Sequence, residues 1–175
     1  MIEKLGQNYL ALHNEILAIG NEMYKRIFEL ITDQHGNHVI QSILNTFKAT
    51  EHPHEEDYPG AEAIAVYSQF IYNACIVNCE AIGSSRFGCC VIQRCLEKGL
   101  KSQKYSLANV IIQRVSFLIE DPYGNYLIQN VLKLRNPYLT DQILNHIASD
   151  FVRLSQLKFS SNVIEKCLES GQATQ

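Results

Sequence analysis

Apolar residues recur along much of the chain at intervals of three and four, which places them on one face of an α-helix. In the segment that begins at residue 36, four apolar residues follow this rule: Ile40, Ile43, Leu44 and Phe47. Asn37 and Gln41 are four residues apart and share a different, polar face of the same predicted helix. His38 lies about 100° further round the helix, at the edge of that polar face.

The same arrangement occurs four times. Four hexapeptides align with one another: GNHVIQ at 36–41, GCCVIQ at 88–93, GNYLIQ at 124–129 and SSNVIE at 160–165. The same two apolar positions follow each hexapeptide: Ile43-Leu44, Cys95-Leu96, Val131-Leu132 and Cys167-Leu168. A register shared by four copies indicates an internal repeat, which decides the fold class before any single element does.

The spacing of the copies is regular with one interruption. Cys89 and Asn125 are 36 residues apart, as are Asn125 and Ser161, whereas Asn37 and Cys89 are 52 apart. The excess of 16 residues falls on an acidic stretch that contains proline and histidine. We therefore predict a loop inserted at about 49–63.

Helix-start signals precede the copies. Asp33, Ser85 and Asp121 each stand four residues before the first polar position and are good N-cap residues. Pro122 suits a first helical position. The fourth copy has leucine in the cap slot, so Ser155 is the candidate cap there.

Further helices are predicted between these four. They run roughly over Asn21–Thr32, Ala65–Glu80, Gln103–Leu118 and Thr140–Leu154. No segment shows sustained two-residue alternation, so the sequence predicts an all-α fold. Helical units stacked at this period form an α-solenoid, in which one helix of each unit lines a continuous surface. The repeated polar pairs belong to that helix.

The repeat register also predicts the division of the chain. We expect a remnant of a preceding repeat at 1–25, a repeat with the inserted loop at 26–77, repeats at 78–113 and 114–149, and a truncated repeat at 150–175. The fourth copy ends before another full helix, so the chain is either a fragment of a longer protein or an unusually short array. Uncapped solenoid ends expose apolar surface, which favours a fragment.

The hexapeptides, with an aromatic residue or histidine two positions before the first polar position, resemble PUF (Pumilio-type) repeats. The preceding residues are His35, Phe87, Tyr123 and Phe159. This resemblance implies a right-handed α-solenoid of stacked three-helix repeats, an α-α superhelix. It also implies binding of single-stranded RNA, with one base read by each repeat.

The resemblance assigns a role to three positions of each copy. Counted from the second residue of each hexapeptide, the first and fifth positions contact a base edge: Asn37 and Gln41, Cys89 and Gln93, Asn125 and Gln129, Ser161 and Glu165. The second position stacks on bases: His38, Cys90, Tyr126 and Asn162. In this family Asn–Gln pairs read uracil, the Cys–Gln pair resembles the adenine reader, and the Ser–Glu pair resembles the guanine reader.

Glu165 has independent chemistry for guanine, because an ionised carboxylate only accepts hydrogen bonds and guanine offers adjacent N–H donors. RNA runs antiparallel to the protein in this family, so the four readers spell 5′-GUAU-3′. By resemblance the target is a UGUA-type element in mRNA 3′ untranslated regions, and the outcome is translation repression or mRNA decay. Deadenylase or repressor proteins are the expected protein partners, on the convex face or on the 49–63 insert.

Composition limits the other possibilities. The chain has a net charge of −3, but five acidic residues at 51–62 account for it, and the remainder is +2. No apolar run approaches the ~18 residues of a membrane span and no signal peptide is visible, which favours a soluble cytoplasmic protein. The six cysteines are expected to be reduced and mostly buried.

Three other functions find less support in the sequence. Cys75 and Cys79, with two histidines nearby, lack the spacing of a tetrahedral zinc site, so no metal or cofactor is predicted. No motif of a catalytic site is present, so no enzyme activity is predicted. The rival to RNA binding is a HEAT or armadillo-type scaffold that grips a protein. Such a scaffold shares the apolar stripes but gives no reason for base-matched residues at the first and fifth positions.

Overall fold

The computed structural model describes residues 13–47 and 66–172, and within these ranges all regular secondary structure is helical. The described helices are α1 (His13–Tyr24), α2 (Ile27–Thr32), α3 (Gly36–Thr46), α4 (Gln69–Val77), α5 (Cys79–Gly83), α6 (Gly88–Lys98), α7 (Lys101–Gln113), α8 (Val115–Leu118), α9 (Gly124–Leu132), α10 (Pro137–Ser149), α11 (Phe151–Gln156) and α12 (Ser160–Gln172). The predicted insert at 49–63 and the first twelve residues of the predicted remnant lie outside the described residues.

Each helix predicted between the hexapeptides is in fact two helices. The breaks fall at Arg26, Asn78, Arg114 and Asp150, whose backbone ψ angles of 14° to 37° leave the α-helical region. The prediction of one continuous helix in each interval was therefore wrong. The extra break gives each unit three helices, as the resemblance to PUF repeats implied.

Equivalent helices of successive repeats pack side by side. The helices that carry the hexapeptides form an inner stack, in which α3 contacts α6, α6 contacts α9 and α9 contacts α12. The long outer helices contact one another in the order α1, α4, α7 and α10, and the short helices α2, α5 and α8 lie between the two stacks. The predicted α-solenoid is confirmed.

The core is built from the apolar slots that the repeat predicted. The last apolar residue of each hexapeptide is buried in all four copies: Ile40, Ile92, Ile128 and Ile164. Cys75, Cys79, Cys89, Cys95 and Cys167 are buried as free thiols, whereas the Cys90 thiol is exposed. Burying one face of each inner helix in this way fixes which of its residues remain at the surface.

The predicted caps are present for three inner helices, although each helix begins three residues after its capping residue. Asp33 Oδ1 accepts hydrogen bonds from the backbone N–H groups of His35 (2.9 Å) and Gly36 (2.7 Å). These two bonds lower the pKa of the Asp33 carboxyl. Asp121 Oδ1 accepts from Tyr123 and Gly124 in the same way, and Ser85 Oγ accepts from Gly88 at 3.3 Å.

The fourth copy differs from what its sequence predicted. Ser155 donates its hydroxyl to the carbonyl of Phe151 in the preceding turn, so the prediction that it caps α12 was wrong. Pro122 likewise precedes its helix instead of occupying the first helical position, because α9 begins at Gly124. At the start of α12, the fully buried Ser160 donates its hydroxyl to the Leu154 carbonyl at 2.7 Å.

The residue that begins each inner helix lies against the carbonyl of the residue six positions before it. A Cβ atom added at Gly88 would lie 2.4 Å from the Ile82 carbonyl oxygen, and Gly36 and Gly124 have the same relation to Leu30 and Leu118. Glycine lets the inner helix approach the short middle helix at this point.

We expect Gly88→Ala to destabilise the protein. The added methyl group has no room beside a backbone carbonyl, and overpacking of this kind costs about 1–3 kcal/mol. In a chain of this size that loss lowers the melting temperature by roughly 2–4 °C per kcal/mol. Thermal unfolding followed by circular dichroism measures the change.

Gly20→Ala is the matched control. Gly20 lies inside α1, and among residues 13–47 and 66–172 its added Cβ would meet only Phe70 Cε1, at an ordinary 3.8 Å. This substitution is expected to raise stability, by about 0.5–1 kcal/mol, because glycine is a poor residue inside a helix. A melting temperature unchanged in Gly88→Ala would contradict the tight approach.

Candidate nucleic-acid interface

The inner stack brings the four hexapeptides onto one surface. The second positions, which were predicted to stack on bases, are exposed in all four copies: His38, Cys90, Tyr126 and Asn162. Tyr126 keeps 48% of its surface accessible, so much of this large aromatic side chain is available for a contact. Because α3, α6, α9 and α12 pack side by side, these side chains follow one another across neighbouring helices.

The first positions are buried in three of the four copies. Asn37, Cys89 and Asn125 expose only 2%, 4% and 0% of their surface, whereas Ser161 is half-buried. The expectation that both members of each pair lie on an open polar face does not hold in these three repeats. The fifth positions are the accessible ones: Gln41, Gln93 and Gln129 are half-buried and Glu165 is exposed.

The two Asn–Gln pairs have identical geometry. Asn37 Nδ2 donates to the carbonyls of Asp33 (2.9 Å) and Gln34 (2.8 Å), while its Oδ1 accepts from Gln41 Nε2 (2.9 Å). In the third copy, Asn125 Nδ2 donates to the carbonyls of Asp121 and Pro122, and its Oδ1 accepts from Gln129 Nε2 at 3.0 Å. The turn before the helix thus fixes the asparagine, and the asparagine fixes the glutamine.

This bond determines what each glutamine presents. With one Nε2 hydrogen committed to the asparagine, Gln41 and Gln129 retain one N–H donor and the two lone pairs of Oε1. Uracil offers the complementary set, one N3–H donor flanked by two carbonyl acceptors. Oε1 of each glutamine can therefore accept from the N3–H of uracil while Nε2 donates to one of the flanking carbonyls.

The Cys–Gln pair is built differently. The Cys89 thiol donates to the Arg86 carbonyl at 3.4 Å, and burial raises the pKa of this thiol to about 12. Cys89 is therefore a neutral, compact side chain beneath the surface. Gln93 Oε1 accepts a hydrogen bond from Asn130 Nδ2 at 3.2 Å, and Asn130 belongs to the next inner helix.

Asn130 was not identified from the sequence. Its signal is positional, because it directly follows Gln129, the fifth position of its own hexapeptide, and stands 37 residues after Gln93. One repeat length plus one residue is thus the offset at which Gln93 and Asn130 meet across α6 and α9. The equivalent residues in the other copies are Ser42, Arg94 and Lys166.

The Ser–Glu pair leaves its acidic group at the surface. Ser161 Oγ donates to the Lys158 carbonyl at 3.4 Å. Glu165 is exposed, and its neighbour Lys166 forms an ion pair with Glu169 at 2.7 Å, one turn further along α12. A carboxylate with free lone pairs at the surface is an acceptor for adjacent N–H donors.

Positive charge lies at the start of two inner helices. The Arg86 guanidinium lies 5.6 Å from the centre of the Phe87 ring, and the Lys158 ammonium lies 5.3 Å from that of Phe159. Both cations are exposed, beside the aromatic residues that precede hexapeptides.

In the described ranges no cluster of three metal-binding side chains occurs, and no helix is long and apolar enough to cross a membrane.

Comparison with known proteins agrees with the repeat. The family model described as Pumilio-family RNA binding repeat (PUF) matches residues 26–51, 78–112, 117–148 and 150–175. A Pumilio domain-containing protein of Schizosaccharomyces pombe is 36% identical over 155 residues, which cover 89% of this chain and 20% of that protein. Pumilio homolog 12 of Arabidopsis thaliana is 33% identical over 155 residues, which cover 89% of this chain and 23% of that protein. The chain thus spans between a fifth and a quarter of these relatives.

Solved structures show the same architecture. The Puf4 RNA binding domain bound to an HO endonuclease RNA 3′ UTR recognition sequence superposes with a TM-score of 0.77 at 31% identity, over 90% of this chain and 45% of that one. The RNA-binding domain of yeast Puf5p bound to SMX2 RNA gives 0.70 at 32% identity, over 84% and 37%. With four matching repeats and this shared architecture, the chain belongs to the PUF family of Pumilio-type RNA-binding repeat proteins.

Proposed function

We propose that this chain binds single-stranded RNA sequence-specifically, that each repeat reads one base, and that the four repeats read 5′-GUAU-3′. The target class is a UGUA-type element in mRNA 3′ untranslated regions, and the biological role is repression or decay of the message. The observation that carries the proposal is the chemistry of the fifth positions. They are the accessible members of the pairs. Gln41 and Gln129 present one set of donors and acceptors, Gln93 a second and Glu165 a third.

Each of the four positions is supported by its surroundings. Gln41 and Gln129 each donate one Nε2 hydrogen to an asparagine, and the groups that remain match uracil. Gln93 accepts a hydrogen bond from Asn130 through Oε1, so both of its N–H donors remain for the N1 acceptor of adenine. Glu165 is an exposed carboxylate that matches the N1–H and N2–H₂ donors of guanine. In this account Asn37 and Asn125 position the glutamines, and stacking falls to the exposed second positions.

Relatives support the class of ligand. The Puf4 and yeast Puf5p domains were solved bound to RNA, and the Puf4 ligand is described as a 3′ UTR recognition sequence. This chain shares their helical architecture over most of its length. Recruitment of deadenylase or repressor proteins, by the convex face of the array or by the 49–63 insert, belongs to the same proposal.

Affinity for matched and scrambled RNA tests the function. We expect the chain to bind an RNA that contains GUAU far more tightly than an RNA of the same composition in scrambled order. Each mismatched base costs about 1–3 kcal/mol in sequence-specific recognition of nucleic acids. Fluorescence anisotropy with labelled oligonucleotides measures the difference. Equal affinity for both RNAs would instead favour a scaffold of the HEAT or armadillo kind, which recognises protein.

A further inference from the structure

Gln93 differs from the other two glutamines in the direction in which its amide is held. Gln41 and Gln129 donate Nε2 to an asparagine of their own helix. Gln93 has a cysteine in that position and instead accepts, through Oε1, a hydrogen bond from Asn130 of the following repeat. The same residue type is thus turned by its neighbours to present opposite edges.

Asn130 is itself held in one orientation by two groups. The Lys133 ammonium, which has only donors, lies 3.1 Å from Asn130 Oδ1 and therefore requires an oxygen at that point. The Tyr126 carbonyl, which only accepts, receives a bond from Asn130 Nδ2 at 2.8 Å. Asn130 is 93% buried, so water competes little for these bonds. With its oxygen and nitrogen assigned in this way, Asn130 can offer Gln93 only a donor.

We propose that Asn130 is a specificity-determining residue for the base that Gln93 reads, acting from the neighbouring repeat by fixing the orientation of the Gln93 amide. The inference rests on the proposed RNA-binding function. The Asn130 bond takes one of the two lone pairs of Gln93 Oε1 and thereby turns the oxygen toward Asn130, so that Nε2, with both hydrogens, is the edge left for the base. Adenine places its N1 acceptor there, whereas uracil places the N3–H donor there, which meets a second donor.

The code of one repeat then includes a residue of the next. Asn130 never touches the base, so it is a positioning residue, and its effect is on selectivity more than on overall affinity. Asn130 affects recognition of the third of the four bases, because Cys89 and Gln93 belong to the second of the four hexapeptides and RNA runs antiparallel to the chain. The first, second and fourth bases are read by other side chains.

Asn130→Asp tests this directly in the 175-residue chain. The introduced carboxylate has no donor for Gln93, so the amide is expected to turn and present its oxygen outward. The probes are two RNAs, GUAU and GUUU, in an otherwise identical flanking sequence. We expect the ratio of their dissociation constants to shift toward GUUU by about tenfold or more, the scale of one good base contact. The ratio is taken on a single protein preparation, so a reduced folded fraction cancels.

A second variant and a matched control complete the experiment. Asn130→Ala removes the donor without adding a charge, and its GUAU preference is expected to fall toward parity even if Asn130→Asp does not fold. Ser42→Ala changes the equivalent position of the first repeat, where the residue is exposed, and is expected to retain the wild-type ratio.

Two negative results have different meanings. If Asn130→Asp and Asn130→Ala keep the wild-type ratio, Asn130 does not set the preference and the inference is overturned. If the wild-type chain itself does not distinguish GUAU from a scrambled RNA, the proposed function fails, whatever the variants do.

Discussion

The double variant Ser161→Asn, Glu165→Gln is expected to prefer uracil over guanine at the first base of the four-base element. The change rebuilds in α12 the arrangement found in α3 and α9. There, each asparagine bonds back to two carbonyls of the preceding turn and holds the glutamine four residues on. In α12 the corresponding carbonyls belong to Leu157 and Lys158, and Ser161 Oγ already donates to the second of them.

The exchange also removes the group that suits guanine. An ionised carboxylate accepts from both adjacent N–H donors of guanine, and such charge-assisted bonds are about twice as strong as neutral ones. A glutamine held through its nitrogen retains one donor and an acceptor, which fits uracil. We expect affinity for GUAU to fall and affinity for UUAU to rise, each by about 1–3 kcal/mol, the energy of a good two-bond contact.

Competition binding with the two RNAs measures the switch. Glu169→Gln is the matched control, because Glu169 is an exposed carboxylate on the same helix, one turn beyond Glu165, and pairs with Lys166. It removes the same charge without changing a reading position, so the preference for guanine is expected to persist. A control that behaves like the double variant would show that net charge, not base matching, sets the preference.

Tyr126→Ala is expected to weaken RNA binding without changing which sequence is preferred. The ring is 48% exposed on the inner surface, between positions assigned to bases, and stacking of a base on an aromatic ring contributes about 1–3 kcal/mol. Selectivity is expected to remain, since the contact from Tyr126 to Asn130 uses the backbone carbonyl, which the substitution keeps. Anisotropy titrations with GUAU and GUUU report affinity and preference together.

Tyr138→Ala serves as the control for loss of an exposed aromatic side chain. Tyr138 is 64% exposed but lies on α10, in the outer stack, away from the hexapeptides. We expect its RNA affinity to equal that of the wild type. An equal loss in both variants would mean that Tyr126 acts through stability or general surface effects, and no loss in either would argue against stacking on the inner helices.

The repeat itself was predictable because it rests on local signals. The apolar slots at Ile40 and its equivalents and the acceptors at Asp33 and Asp121 act within one or two turns of helix, and the same short pattern returns after 36 residues. Such signals can be recognised in a single sequence, and they were sufficient to predict that the inner helices stack. The resemblance to PUF repeats, which was recognised from the same hexapeptides, is confirmed by the family match.

Two features of the fold and site were not predictable in this way. The breaks at Asn78, Arg114 and Asp150 fall at residues that are not strong helix breakers, so packing between layers decides them. Asn37 and Asn125 are buried because they donate hydrogen bonds to carbonyls of the preceding turn. Helical periodicity predicts the face on which a residue lies but not such bonds.

Whether a glutamine amide turns its oxygen or its nitrogen outward depends on its hydrogen-bond partners, and the repeat pattern does not identify those partners. Gln41 and Gln93 occupy the same slot, yet one is held by its own helix and the other by Asn130 of the next repeat. Only the side-by-side packing of α6 and α9 brings Gln93 and Asn130 together. Alignment of the repeats therefore identifies which residues face a base but not which edge each one presents.

Selection of RNA from a random pool by the chain, followed by sequencing, tests the central claim most directly. If successive inner helices read successive bases, the enriched RNAs share a contiguous GUAU, with guanine at the 5′ end where the C-terminal helix binds. Enrichment of RNAs with no common four-base element, or of one whose order runs in the opposite direction, would contradict the account.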